Sequence, residues 1–152
     1  MKIEIRNAKK EDELLILKGI KEICKLEKEK PDSIAHLKKQ FNHSLKRKEI
    51  IVTTINNKAV GFIWFLIASR VPYGVNYGKQ KKYCWLDWFY VLKEYRNKGI
   101  GTILLKELVK HCKKIKINEI ITDVYNINKK SLQFHEKRGF KPRIEICEER
   151  IK

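Results

Sequence analysis

Two glycines set between a strand-like run and a helix-like run constrain this chain more than any other feature. Trp85 to Val91 is apolar and reads as a strand. Thr102 to Lys114 places Ile103, Leu104, Leu108 and Val109 on one helical face. Between them lies Tyr95-Arg96-Asn97-Lys98-Gly99-Ile100-Gly101-Thr102. The N-terminus of a helix carries unpaired backbone N–H groups and the positive end of a dipole. Glycine there permits positive φ and lets an anion approach the main chain. The residues alone therefore point to a phosphate-bearing ligand held by backbone. The P-loop pattern is absent, and Leu104 breaks a Gly-x-Gly-x-x-Gly fingerprint.

What remains is Arg96-x-x-Gly99-x-Gly101. This resembles the Gln/Arg-x-x-Gly-x-Gly/Ala motif of the GNAT superfamily of acyl-CoA N-acyltransferases. Further on, Asn128 and Phe134-His135-Glu136-Lys137-Arg138-Gly139-Phe140 resemble that family's later Asn and its Tyr-x-x-x-Gly-Phe helix ending. The motif resemblance runs from about Trp85 to Pro142. Before that it rests on the order and length of elements.

That order can be read along the chain. Lys2 to Arg6 alternates as a strand, and Asp12 to Glu29 carries Leu14, Leu15, Leu17, Ile20, Ile23 and Leu26 at helical spacing. Pro31 with Asp32 or Ser33 opens a second helix to about Lys48. Glu49 to Ile55 and Ala59 to Ser69 form a hairpin around Asn56-Asn57. Arg70 to Lys79 reads as a long loop, followed by a strand over Lys82 to Val91 and a helix over Thr102 to Lys114. Glu119 to Tyr125 is the next strand, Asn128 to Arg138 a helix stopped by Gly139, and Ile144 to Ile151 a last strand. The resemblance implies an α/β (α+β) fold: a mixed, twisted, mostly antiparallel sheet of about six to seven strands flanked by about four helices. Residues 1–152 are expected to form a single acetyltransferase domain.

Composition narrows the function. Hydrophobic residues make up 43% of 152, enough for a packed core. No apolar run is long enough to span a membrane, and with Met1 followed at once by a strand-like run no secretory signal is expected. Cys24, Cys84, Cys112 and Cys147 lie far apart, so no disulfide framework or metal site is expected, and a reducing cytoplasm fits best. The net charge of +17 invites a nucleic-acid reading. However, lysine greatly outnumbers arginine and is spread along the chain, as on a solvated basic surface, so nucleic acid is not the expected partner. The charge should attract anions such as acyl-CoA and makes a free polycationic acceptor less attractive.

The resemblance implies the site. Acetyl-CoA would pair its pantetheine arm with the backbone of Phe89, Tyr90 and Val91. Its pyrophosphate would rest on Arg96, Asn97, Lys98, Gly99, Ile100, Gly101 and Thr102. Asn128 either orients the segment beside the cofactor arm or is a plain helix N-cap, with Asn126 a competing cap. His135 stands where many family members place a Tyr that protonates the departing thiolate; imidazole can do acid–base work, with an ordinary pKa near 6.5. Asp87 shares the alternation of Trp85, Phe89 and Val91. The run Leu86-Asp87-Trp88-Phe89-Tyr90-Val91 resembles the Leu-Glu-Asp-Phe-Phe-Val of spermidine/spermine acetyltransferases, so Asp87 either holds the acceptor amine or pairs with a nearby Lys or Arg. Tyr73 and Tyr77 border the acceptor site. The expected activity is acetyl transfer to a primary amine of a small molecule or peptide, by direct attack in a ternary complex. The rival is a non-catalytic module docking on nucleic acid or ribosome. A homodimer through the last strand is compatible with the sequence.

Overall fold

A computed structural model describes residues 2–69, 82–143 and 147. Its sheet grows from the turn at Asn56-Asn57. Both asparagines take positive φ, 48° and 66°. That is the twist a two-residue hairpin needs, and asparagine tolerates it. Strands β2 (Ile50–Ile55) and β3 (Lys58–Ala68) flank the turn. Strand β1 (Ile3–Asn7) joins β2 antiparallel, and β4 (Tyr83–Val91) joins β3 antiparallel. Strand β5 (Ile120–Ile121) pairs parallel with β4, so the order is β1-β2-β3-β4-β5.

Helices cover both faces, which is why β2 is buried along its whole length. Helices α1 (Glu13–Glu27) and α2 (Ile34–Arg47) lie on one side. There Phe41 of α2 meets Trp64 edge-on, with ring centroids 6.4 Å apart. Helix α3 (Ile100–Lys114) lies on the other side, where His111 packs on Phe65 at 5.1 Å. Helix α4 (Lys129–Glu136) closes the end beside β4. Ser33 opens α2 by accepting the His36 N–H at 3.2 Å, which satisfies one orphan donor of the first turn.

The core is made of apolar side chains from both layers. Ile16, Ile20, Phe41, Val52, Phe62, Ile63, Leu104 and Leu108 are fully buried, each contributing about 1.5–3 kcal/mol. Helix α1 lies so close to the sheet that a Cβ on Gly19 would stand 2.7 Å from Phe62 and 2.8 Å from Tyr90. Two buried carboxylates are satisfied, Asp12 by Arg6 at 2.7 Å and Glu49 by its neighbours. Buried Glu49 accepts from Ser44 Oγ at 3.0 Å and Arg47 Nε at 2.6 Å, and the Trp64 indole donates to Ser44 at 3.0 Å.

The GNAT-like order holds, with four α-helices as expected and a sheet that counts five strands among the described residues. The predicted last strand, apart from Cys147, and the loop Arg70 to Lys79 with Tyr73 and Tyr77 lie outside the described residues. Several bounds differ by a residue or two from the sequence reading, and two of the differences bear on the site. Helix α3 begins at Ile100 rather than Thr102. Strand β5 is two residues long rather than Glu119 to Tyr125. Both differences shape the site. No helix among the described residues is long and apolar enough to cross a membrane.

Candidate active site

The site begins with one extra residue in β4. Trp64 faces Trp88, and the next residue, Phe65, faces Leu86, so Asp87 has no partner on β3. This bulge shifts the phase of everything after it. Before it, Cys84 lies toward α3, where its thiol is hydrogen-bonded with Cys112. After it, Phe89 turns to that same side and meets Phe134 at 5.2 Å and His135 at 6.1 Å. Val91 follows, near the place a Cβ of Gly61 would occupy, while the Tyr90 ring lies beneath α1 beside Gly19. Strict alternation put Asp87 on one face with Trp85, Phe89 and Val91. The structure corrects this: Asp87 keeps Trp85, to which it is hydrogen-bonded, and is parted from Phe89 and Val91.

The bulge also opens the sheet. β5 pairs with β4 only at Cys84 and Trp85. Thr122 then donates its hydroxyl to the Leu86 carbonyl at 3.0 Å, and the two strands part. Beyond that point the outer edge of β4 is free of strand partners among the described residues. The Leu92 N–H donates to the Val60 carbonyl at 2.9 Å. Backbone alternation then turns the Tyr90 N–H and C=O toward β3 and those of Phe89 and Val91 outward. Tyr90 therefore cannot offer main chain to a ligand on the open edge, contrary to the sequence expectation. Its hydroxyl instead donates to Glu22 at 2.6 Å, and burial with this bond pushes the phenol's pKa up.

The open edge leads to the N-terminus of α3. Asn97 and Gly99 take φ of 59° and 79°, and Gly99 is the helix N-cap. The first return bond of the helix runs from Ile103 N–H to the Gly99 carbonyl, 3.0 Å. Ile100, Gly101 and Thr102 thus point first-turn N–H groups away from the helix. A Cβ on Gly99 would meet nothing within 4 Å, so the approach is open there. Gly101 has a different reason to be glycine: its Cβ would stand 3.1 Å from the Phe134 ring and 3.4 Å from Phe89. It lets α4 close against α3. Arg96 turns its side chain back, donating Nε to the Val91 carbonyl at 2.8 Å and lying over the Tyr90 ring. It ties the loop down rather than reaching outward. Lys98 lies over Tyr95. Arg138, missed in the sequence reading, stacks 3.6 Å over the Phe134 ring and donates to the Thr102 hydroxyl. Its place three residues after His135 was the available signal.

Beside the parted strands is a cleft of about 280 Å³. The end of α1 and the turn after it supply Ile23, Glu27, Glu29 and Asp32; β4 supplies Leu86 to Phe89; the far wall carries Thr122 to Tyr125, Asn128 and His135. Five carboxylates (Glu27, Glu29, Asp32, Asp87 and Asp123) and one lysine, Lys30, line it. This contrasts with a chain charge of +17.

Asp87 reaches solvent at the cleft mouth. Surrounding protein disfavours its charge, Asp123 and Asp32 repel it, and the Trp85 bond opposes both, so its pKa is pushed up to about 6. His135 is only 6% exposed. Its ring is boxed by Phe140, Phe134 and Phe89. Nδ1 lies 2.8 Å from the Ser131 carbonyl. A carbonyl only accepts, so Nδ1 carries the proton. Burial, helped by the charge of Arg138, lowers the pKa against that bond. The ring is held neutral, with a lone pair on Nε2 that has no partner among the described residues.

Asn128 takes the capping role weighed for it and also ties α4 to α1. Its Oδ1 caps α4, accepting from Ser131 N–H at 3.3 Å. Its Nδ2 donates to Glu27 at 3.0 Å, linking α4 to α1 across the cleft. The interaction of the Tyr125 hydroxyl with nearby Glu29 pushes the phenol up to about 12. Cys84 is fully buried and its thiol is pushed up by the bond with Cys112 and by burial. Among the described residues, none of the ion pairs joins Glu27, Glu29 or Asp87 to a lysine or arginine.

An acetyltransferase (GNAT) family model matches residues 17–140, and the chain belongs to that family. No curated protein matches it in sequence. Solved structures share the fold. AAC(6')-Iy, in complex with the bisubstrate analogue CoA-S-monomethyl-acetylneamine, superimposes with a TM-score of 0.80 at 16% identity, covering 100% of this chain and 99% of that one. A predicted acetyltransferase from Clostridium acetobutylicum, solved with acetyl-CoA, gives 0.72 at 21%, covering 98% and 96%. The aminoglycoside 6'-N-acetyltransferase AAC(6')-IG of Acinetobacter haemolyticus gives 0.71 at 21%, covering 100% and 99%. At these identities the likeness is one of fold.

Proposed function

We propose that the protein moves the acetyl group of acetyl-CoA to a primary amine by direct attack in a ternary complex. The observation that carries this reading is the open edge of β4, which runs from the bulge at Asp87 to the N-terminus of α3. A pantetheine arm laid there would take the place β5 has left and pair with Phe89 and Val91. Its pyrophosphate would meet the N–H groups of the Arg96-to-Thr102 turn, with Lys98 and Arg138 adding positive charge nearby. Neighbours of the same fold have been solved with CoA ligands.

An amine is protonated at neutral pH, with a pKa of about 10. It must lose that proton before it can attack. Asp87, at about 6, is a carboxylate at pH 7 and accepts it directly or through a water. The amine lone pair then attacks the thioester carbonyl carbon; the C–N bond forms, the C–S bond breaks, and the departing thiolate takes the second proton of the attacking nitrogen, directly or through a water, so that CoA leaves as the thiol. His135 is a poor donor to that thiolate, since its one proton is held by the Ser131 carbonyl. Its free Nε2 fits an N–H acceptor for the incoming amine instead. Buried Cys84 on the α3 side is no acetyl carrier. A small-molecule amine, of the kind named for the aminoglycoside neighbours, suits a cleft of this size.

Isothermal titration of acetyl-CoA against wild type and Gly99→Glu tests the cofactor half. Binding by wild type with loss in the variant supports the reading; no binding by wild type refutes it. CoA release with a panel of primary amines tests the transfer. The +17 charge keeps a rival in view, a non-catalytic module docking on nucleic acid. A steeply salt-dependent shift of RNA, with no amine acetylated, would favour that rival.

A further inference from the structure

The cleft holds the reverse of the charge that the rest of the chain carries. Asp32 and Asp123 lie near enough to Asp87 to raise its pKa, and Glu29 and Asp123 do the same to Glu27. Like charges gathered in one cleft cost folding energy unless something cationic relieves them. Among the described residues, the groups that meet Glu27 and Glu29 are neutral: Asn128 Nδ2 donates to Glu27, and the Tyr125 hydroxyl lies beside Glu29. A neutral donor satisfies a lone pair but leaves the charge. An independent observation in the same cleft wall is the buried Nε2 of His135, a lone pair with no donor among the described residues. It asks for an N–H from a bound molecule.

Resting on the reading of this cleft as the acceptor site, we propose that the acceptor carries at least two ammonium groups. The reacting amine sits between Asp87 and His135. A second ammonium is held by Glu27, Glu29 and Asp32 at the end of α1. On binding, this second ammonium takes over the Glu27 oxygen now held by Asn128. That bond ties the end of α1 to the cap of α4, so exchanging it for a ligand's N–H group couples acceptor binding to the width of the cleft. This runs against the expectation, drawn from net charge alone, that a polycationic acceptor is disfavoured. Both a linear polyamine and an aminoglycoside carry this chemistry.

The test is calorimetric titration of butylamine, spermidine and an aminoglycoside into the protein saturated with CoA, which cannot react. Each titration is run at low salt and at high salt, on wild type and on a Glu27→Gln, Asp32→Asn variant whose retained CoA binding shows that it is folded. The expected result is that at least one multiply charged amine binds about tenfold or more tightly than butylamine. That advantage should shrink to less than about twofold at high salt and in the variant. Which of the two multiply charged amines gains more identifies the source. Equal affinities, an advantage that survives in the variant, or no amine binding at all overturns the inference. CoA release is followed separately with acetyl-CoA. Equal acetylation of butylamine and spermidine sinks this inference while sparing the transferase reading. Selective binding of the multiply charged amine without CoA release does the opposite.

Discussion

Gly99 offers a perturbation whose size follows from two facts. Its φ is +79°, in the left-handed region, and a Cβ there would meet nothing within 4 Å. Gly99→Ala therefore adds no clash and removes no contact; only backbone energy changes. An L-residue in the left-handed region costs about 1–2 kcal/mol. Restricting the unfolded chain returns about 0.4–1 kcal/mol. The net loss is about 1 kcal/mol, or about 2–4 °C in Tm for a chain of this size. Gly99→Asn should lose roughly half as much, since asparagine visits this region readily. Gly99→Val should lose the most, since a β-branched residue is least tolerated there. Urea unfolding at 25 °C without ligand, reading midpoint and slope, measures the series. An alanine variant as stable as wild type at unchanged slope would refute the argument, because the turn would then not need its left-handed residue.

Four further expectations follow from the site and its supports. In wild type, kcat/KM should fall below an apparent pKa of about 6 as Asp87 takes up its proton, and Asp87→Asn should remove that limb; a limb that persists would assign the proton elsewhere. The same raised pKa means the folded state binds this proton more tightly than the unfolded chain, so its contribution to stability is present at low pH and is lost as pH rises through about 6. Gly19→Ala forces a Cβ to within 2.7 Å of Phe62 and should destabilise by about 1–3 kcal/mol by overpacking; a neutral result in urea unfolding would show that α1 can lift off the sheet. Asn128→Ala should cost about 1 kcal/mol through the lost cap of α4, whereas Asn128→Asp keeps the cap acceptor but faces Glu27, so its stability relative to wild type should decline as pH rises and Glu27 ionises. Equal pH profiles for wild type and the aspartate variant would show that the link across the cleft carries no energy.

The hairpin, the two long helices before it and the strand-loop-helix unit were legible because each is local: apolar spacing, an Asn-Asn turn and two glycines suffice. Even there, α3 starts two residues earlier than expected, because Gly99 serves as its left-handed cap rather than as part of a longer loop. The bulge could not be read, since an extra residue inside Trp85 to Val91 leaves an apolar run looking unbroken. With it went the true faces of Phe89 and Val91 and the outward turn of their main chain. The acidic cleft was hidden for a different reason. Glu27, Glu29 and Asp32 alternate in sequence with Lys28 and Lys30, so local charge looks neutral, and Asp87 and Asp123 join them only through the fold. The exclusion of a donor role for His135 depended on a bond one helical turn back, to Ser131.

Asp87 also governs how the strand can change through time. Substituting it alters chemistry at one place. Deleting it would join Leu86 to Trp88, whose partners Phe65 and Trp64 are already consecutive on β3, so the bulge would vanish while Phe89, Tyr90 and Val91 kept their partners and their faces. Loss of this one residue should therefore spare the packing of β4 and remove the carboxylate and the bulge together, so that a deletion at Asp87 costs activity far more than stability.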